Sequence, residues 1–68
     1  MMAKNSRPII SSLVYGLYEG GYRINVFVDG VMRAVGKARD RVEGEHLARD
    51  IKRRLKRGAA LPVGVSAP

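Results

Sequence analysis

Basic side chains recur in this chain at spacings suited to holding phosphates. Arg49, Arg53 and Arg57 stand at i, i+4 and i+8, which on a helix makes one column, with Lys52 and Lys56 in a second column beside it. Each phosphate such a ridge neutralises releases counterions, so binding would weaken with salt. A basic helix face is about as often simply solvated. Here Glu45 can pair with Arg49 and Asp50 with Arg53 or Arg54, which leaves Lys52, Lys56 and Arg57 without a partner on the helix. That surplus exceeds what the helix dipole calls for, an effect of only ~0.3–1 kcal/mol per charge. A second set lies upstream, where Arg23, Asn25 and Phe27 alternate and Arg33 and Lys37 follow. Arginine suits guanine edges, asparagine suits adenine, and an apolar ring suits a thymine methyl or a stacked base. The expected nucleic-acid-binding residues are therefore Arg23, Asn25, Phe27, Arg33, Lys37, Arg49, Lys52, Arg53, Lys56 and Arg57.

Other chemistries find little footing. His46 and Asp50 stand at i and i+4, the spacing of a base and its orienting carboxylate, but no serine or cysteine nucleophile lies nearby in sequence. A surface histidine beside an aspartate is the simpler account. Gly20, Gly21, Gly30 and Gly36 do not follow a phosphate-loop pattern and read as turn and packing glycines. With one histidine and no cysteine, the four Cys or His ligands of a structural zinc site are missing. The expectation is no catalysis, no metal, no cofactor and no small-molecule substrate.

The elements that must carry these residues are short. Ser12 to Tyr18 is rich in β-branched, aromatic and leucine residues and runs into Glu19-Gly20-Gly21, so it reads as a strand entering a turn. Tyr22 to Val28 alternates, with Tyr22, Ile24, Val26 and Val28 on one face and Arg23, Asn25 and Phe27 on the other. Asp29-Gly30 is a hairpin signal, and Val31 to Lys37 follows as a third strand. A two-residue turn there would pair Val26 with Arg33 and bring a guanidinium onto the apolar face. A three-residue connection through Val28, Asp29 and Gly30 pairs Val26 with Met32 and Ile24 with Ala34, and is preferred. It leaves Arg23, Asn25, Phe27, Arg33 and Val35 together on the opposite face. At the first hairpin, a two-residue turn at Gly20-Gly21 buries Leu13, Tyr15 and Leu17; a three-residue turn buries Val14, Gly16 and Tyr18 instead. Bulk favours the former.

From Glu43 to Arg57 the apolar positions Leu47, Ala48, Ile51 and Leu55 fall within about 100° of one helical wheel. Asp40 is placed as N-cap, acids open the helix, bases close it and Gly58 ends it. The fold class expected is α+β: a three-stranded antiparallel sheet packed on one C-terminal helix, βββα. A flexible lead over residues 1–11 and a disordered tail over residues 58–68 would flank a domain of residues 12–57.

Sixty-eight residues allow one small domain, whose core must be thin at that size, and without cysteines no disulfide can reinforce it. The thirteen Lys and Arg against six Asp and Glu leave a formal charge of +7, with ten of those bases and four of the acids between residues 33 and 57. Such an excess attracts polyanions, nucleic acid above all, and also suits an acidic protein or a membrane surface. No apolar run approaches the ~20 residues of a membrane span. The absence of cysteine and of an apolar leader fits a cytoplasmic protein.

The run Gly21-Tyr22-Arg23-Ile24-Asn25-Val26-Phe27-Val28-Asp29-Gly30, then Arg33-Ala34-Val35-Gly36 and the helix around Glu43 to Ala48, resembles the three-stranded-sheet-plus-helix DNA-binding domains. These include the arm-binding domain of phage tyrosine integrases and the plant ethylene-response-factor domain, and the resemblance covers residues 12 to 57. It implies that the exposed sheet face enters the major groove, which falls here on Arg23, Asn25, Phe27 and Arg33. The chain lacks the tryptophans common in the plant domains, and Lys37 to Arg41 carries no aromatic after the glycine. The leading expectation is a small nucleic-acid-binding protein, DNA rather than RNA, with the sheet face in the groove and the helix bases on phosphates. Its rival is an interaction module or homodimer that docks an acidic partner through the helix or the apolar residues of the sheet face, Phe27, Val35 and Val14.

Overall fold

The computed structural model describes residues 7–68. Its element order is β1 (Ile10–Gly16), β2 (Tyr22–Val28), β3 (Val31–Ala38) and α1 (Arg41–Arg57). The strands form one antiparallel sheet in the order β1-β2-β3, and α1 packs against one face of it. Part of the lead expected over residues 1–11 lies outside the described residues; the rest includes the start of β1.

Alternation in β2 sets the two faces. Ile24 and Val26 are fully buried and, with Ala34 on β3 and Ala48 and Ile51 on α1, form the core. Ile10, Val14, Ala38, Leu47, Leu55, Leu61 and Val65 pack around it.

The second hairpin departs from the expected register. Asp29 and Gly30 form a two-residue turn, with Val28 paired to Val31 and positive φ at both positions, 52° and 82°. That is the type I′ geometry whose twist matches the flanking strands. Asp29 is held there by its backbone N–H, which donates to the Ile9 carbonyl at 2.8 Å, and by its Oδ1, which accepts from the Ile9 N–H at 2.9 Å. The cost expected of this turn, an arginine on the apolar face, is avoided by a β-bulge. Phe27 pairs with Met32 and Val26 with Ala34, so Arg33 is the extra residue and stays exposed. Ile24 then pairs with Gly36 rather than Ala34.

The first hairpin also corrects the expectation. The Leu17 N–H donates to the Gly21 carbonyl at 2.9 Å and the Gly20 N–H to the Leu17 carbonyl at 3.0 Å, with φ of 106° at Gly20. This three-residue connection turns Ile10, Ser12, Val14 and Gly16 toward the helix, and leaves Leu13 52% and Tyr15 36% exposed on the other face. Bulk misleads here because the helix comes in closely. A Cβ on the buried Gly44 would stand 2.9 Å from Val14 Cγ1. The space above β1 admits a valine and excludes leucine or tyrosine.

The helix opens two residues before the expected Glu43. Asp40 Oδ1 accepts from the Glu43 N–H at 2.9 Å, and Glu43 Oε1 in turn accepts from the Arg39 N–H at 2.6 Å. The first bond satisfies a donor that the opening turn leaves free, and the second fixes the residue just before the cap. Gly58, left-handed at φ 74°, closes the other end.

The tail, expected to lack order, is placed against the sheet. Val35 and Ser66 exchange backbone hydrogen bonds of 2.8 and 3.1 Å on the outer edge of β3. Leu61 and Val65 add to the core, and Val65 stands over Gly36. Arg54 ties the helix to this segment, with Nε on Asp50 at 3.2 Å and a terminal nitrogen donating to the Ala60 carbonyl at 3.0 Å. A composition without charge or periodicity concealed a strap that covers one sheet edge.

Candidate nucleic-acid interface

Register divides the ten expected site residues between two sides of the molecule. Arg23, Asn25 and Phe27 on β2, and Lys37 on β3, take the positions that alternate with the core residues and so lie on the sheet face opposite the helix. Arg33 joins that face through the bulge beside Phe27. Arg49, Lys52, Arg53, Lys56 and Arg57 belong to the helix on the far side. A sheet and a helix thus separate the two groups, and one groove cannot be gripped by both at once.

The open sheet face has an unusual charge pattern. No strand carries an aspartate or glutamate; the acids sit in the turns (Glu19, Asp29) or at the helix and its cap (Asp40, Glu43, Glu45, Asp50). Arg23 and Lys37 are direct cross-strand partners. Like charges placed opposite each other destabilise a sheet, and among the described residues neither has a salt-bridge partner. Arg23 Nε is also buried without an acceptor there, a cost of about 1–3 kcal/mol for an unsatisfied buried donor.

Around these cations lie Leu13 and Tyr15 from β1, Phe27 from β2, and Met32 and Val35 from β3. Asn25 is only 9% exposed between its partners Leu13 and Val35, so it presents far less to a ligand than the alternation implies. Val14, grouped in sequence with Phe27 and Val35, is on the helix side instead. Tyr15 and Leu13 are the residues of this face that the sequence reading assigned to the core. The only signal that could have found them was the length of the first turn.

On the helix, pairing differs in one respect from expectation. Glu45 bonds Arg41 at 3.5 Å and not Arg49, while Asp50 takes Arg54 and Glu43 takes Arg39 at 3.6 Å. Arg49 instead lines a cleft of about 350 Å³ between β1 and α1, together with Lys52 and Ser12. Such exposed i, i+4 pairs stabilise little, about 0.3–0.5 kcal/mol, but they remove three arginines from the free charge. His46 is exposed, and Asp50 is engaged by Arg54. Among the described residues no three His, Asp or Glu side chains cluster as a metal ion would need, and no helix is long and apolar enough to cross a membrane.

Comparison of the chain with protein-family models, with curated proteins and with solved structures returns no match.

Proposed function

We propose that the protein binds double-stranded DNA through the open face of its sheet. The observation that carries this reading is the opposed pair Arg23 and Lys37, with Arg33 four residues away along β3, on strands without a carboxylate. A cationic pair that the fold leaves unneutralised is relieved by an anion from outside, and phosphates on either side of a groove supply several.

Dimensions agree. Three strands spaced ~4.8 Å place the outer two about 10 Å apart, against a B-form major groove ~12 Å wide. The deep, narrow major groove of A-form RNA does not admit such a sheet. In this reading Arg23, Arg33 and Lys37 contact phosphates or guanine edges, and Phe27 and Tyr15 supply apolar contact with thymine methyls. It keeps the docking mode of the sheet-plus-helix DNA-binding domains that the sequence resembles, and it drops the helix bases from the same contact.

Titrating labelled protein with a duplex of about 15 base pairs while following backbone amide shifts tests it. Perturbations concentrated at Arg23, Phe27, Arg33 and Lys37 support the reading. Perturbations confined to α1, or none, count against it. A single strand that binds more tightly than the duplex would turn the aromatic pair into a stacking platform and replace groove docking.

The apolar part of the same face favours one other reading, self-association through Leu13, Tyr15, Phe27, Met32 and Val35. Two copies stacked this way bring their unneutralised cations together, so that dimer would need high salt, where DNA binding fades.

A further inference from the structure

The two edges of the sheet are treated differently. The edge of β3 is occupied at Val35 by the chain's own Ser66, whereas β1 pairs only with β2 and its outer edge has no partner among the described residues. Ile9 and Leu17 direct hydrogen-bonding groups to the β2 side, through Asp29 and Gly21. Antiparallel alternation then points Ser11, Leu13 and Tyr15 toward β2, and leaves the N–H and C=O groups of Ile10, Ser12, Val14 and Gly16 facing away from it in the sheet plane. An unpaired strand edge is a template for another strand.

The helix runs antiparallel beside this edge. Gly44 stands over Val14, Ala48 and Lys52 share a cleft with Ser12, and Lys56 shares one of about 290 Å³ with Arg7 and Pro8. The helix advances about 18 Å from Gly44 to Lys56, and the strand about 20 Å from Val14 to Pro8. Arg7, Arg41, Arg49, Lys52 and Lys56 line the two clefts against the single carboxylate of Glu45, which Arg41 already holds. Ser12 places a small hydroxyl on the helix-facing side, where Ile10 and Val14 beside it are apolar.

We propose that the free edge of β1 accepts an extended acidic peptide segment as a fourth strand, with Arg49, Lys52 and Lys56 receiving its alternate carboxylates. Spacing supports the match. Residues i and i+4 of a helix rise ~6 Å, and alternate residues of a strand are ~6.6–6.8 Å apart, so Lys52 and Lys56 can meet acids at positions i and i+2 of the added strand. Main-chain hydrogen bonds would give affinity and the basic flank specificity. A second copy of the chain is the poorer occupant, because edge-to-edge pairing sets two clefts of the same net positive charge along one seam. This surface is separate from the open sheet face, so the proposal stands or falls independently of DNA binding.

The probe is a blocked nine-residue peptide alternating threonine and glutamate, with an otherwise identical threonine–lysine peptide as control. The glutamate peptide should slow hydrogen exchange at Ile10, Ser12 and Val14 and bind at least tenfold more tightly than the lysine peptide. Ser12→Pro removes an outward N–H while sparing the β1–β2 ladder, and should weaken binding at least tenfold. Should that variant not fold, Lys52→Glu with Lys56→Glu serves in its place and should have the same effect. Unaltered exchange at β1 at millimolar peptide, equal binding of the two peptides, or full binding by a folded variant would overturn the proposal.

Discussion

Arg23 and Lys37 face each other across β2 and β3 with no acid on either strand, and under the proposed DNA binding this arrangement would make stability and affinity pull in opposite directions. Lys37→Glu puts a carboxylate directly opposite Arg23. Stability should rise, by up to about 1 kcal/mol at low salt and less as salt screens the exposed pair. DNA affinity should fall at least tenfold in the same variant, because one phosphate contact is replaced by a repulsion. Urea denaturation and fluorescence anisotropy on one preparation measure both; affinity that falls together with stability would mean that the pair serves the fold and not a ligand. Most of this residue-scale pattern was legible in the sequence, since alternation in β2 alone assigns Arg23 and Phe27 to one face. The burial of Asn25 was not, because it depends on Leu13 and Val35 flanking it from strands whose registers were open.

At the scale of elements, local signals worked where the chain decides its own geometry. Asp40 and Gly58 bound the helix as their residue types dictate, and β2 has the bounds that its alternation gave. The errors arose where a distant element decides. The face of β1 follows from the close approach of Gly44, some thirty residues away in sequence, and the register of β3 from a bulge that spares Arg33. The strap of residues 59–66 has no periodicity to betray it. Its ordering rests on Leu61, Val65 and two backbone bonds to Val35. Deleting residues 61–68 should therefore leave the βββα domain folded but less stable by about 1–3 kcal/mol, the range for burying one or two aliphatic side chains in part. The Val35 amide, bonded to the Ser66 carbonyl in the full chain, should then exchange at a rate near that of an open edge. An unchanged rate at Val35 would show that the strap does not hold the edge in solution.

Seen as a whole molecule, the +7 charge does not make a single positive field. Three cations occupy the open sheet face, a second group follows the cleft between β1 and α1, Arg53 and Arg57 are exposed on α1, and three arginines are tied to carboxylates on the helix. A thin core covered on one side by a helix leaves the other side of the sheet wet, and the sequence places cations and aromatics there without acids. The direct test is anisotropy of a labelled duplex against salt, for the native chain, for Arg23→Gln/Arg33→Gln/Lys37→Gln, and for Arg53→Gln/Arg57→Gln. With three phosphate contacts, the slope of log K against log salt should be about −2.7. The sheet variant should lose nearly all of that dependence and at least a hundredfold in affinity, while the helix variant should stay within threefold of the native chain. Retained affinity in the sheet variant, with loss in the helix variant, would contradict the account.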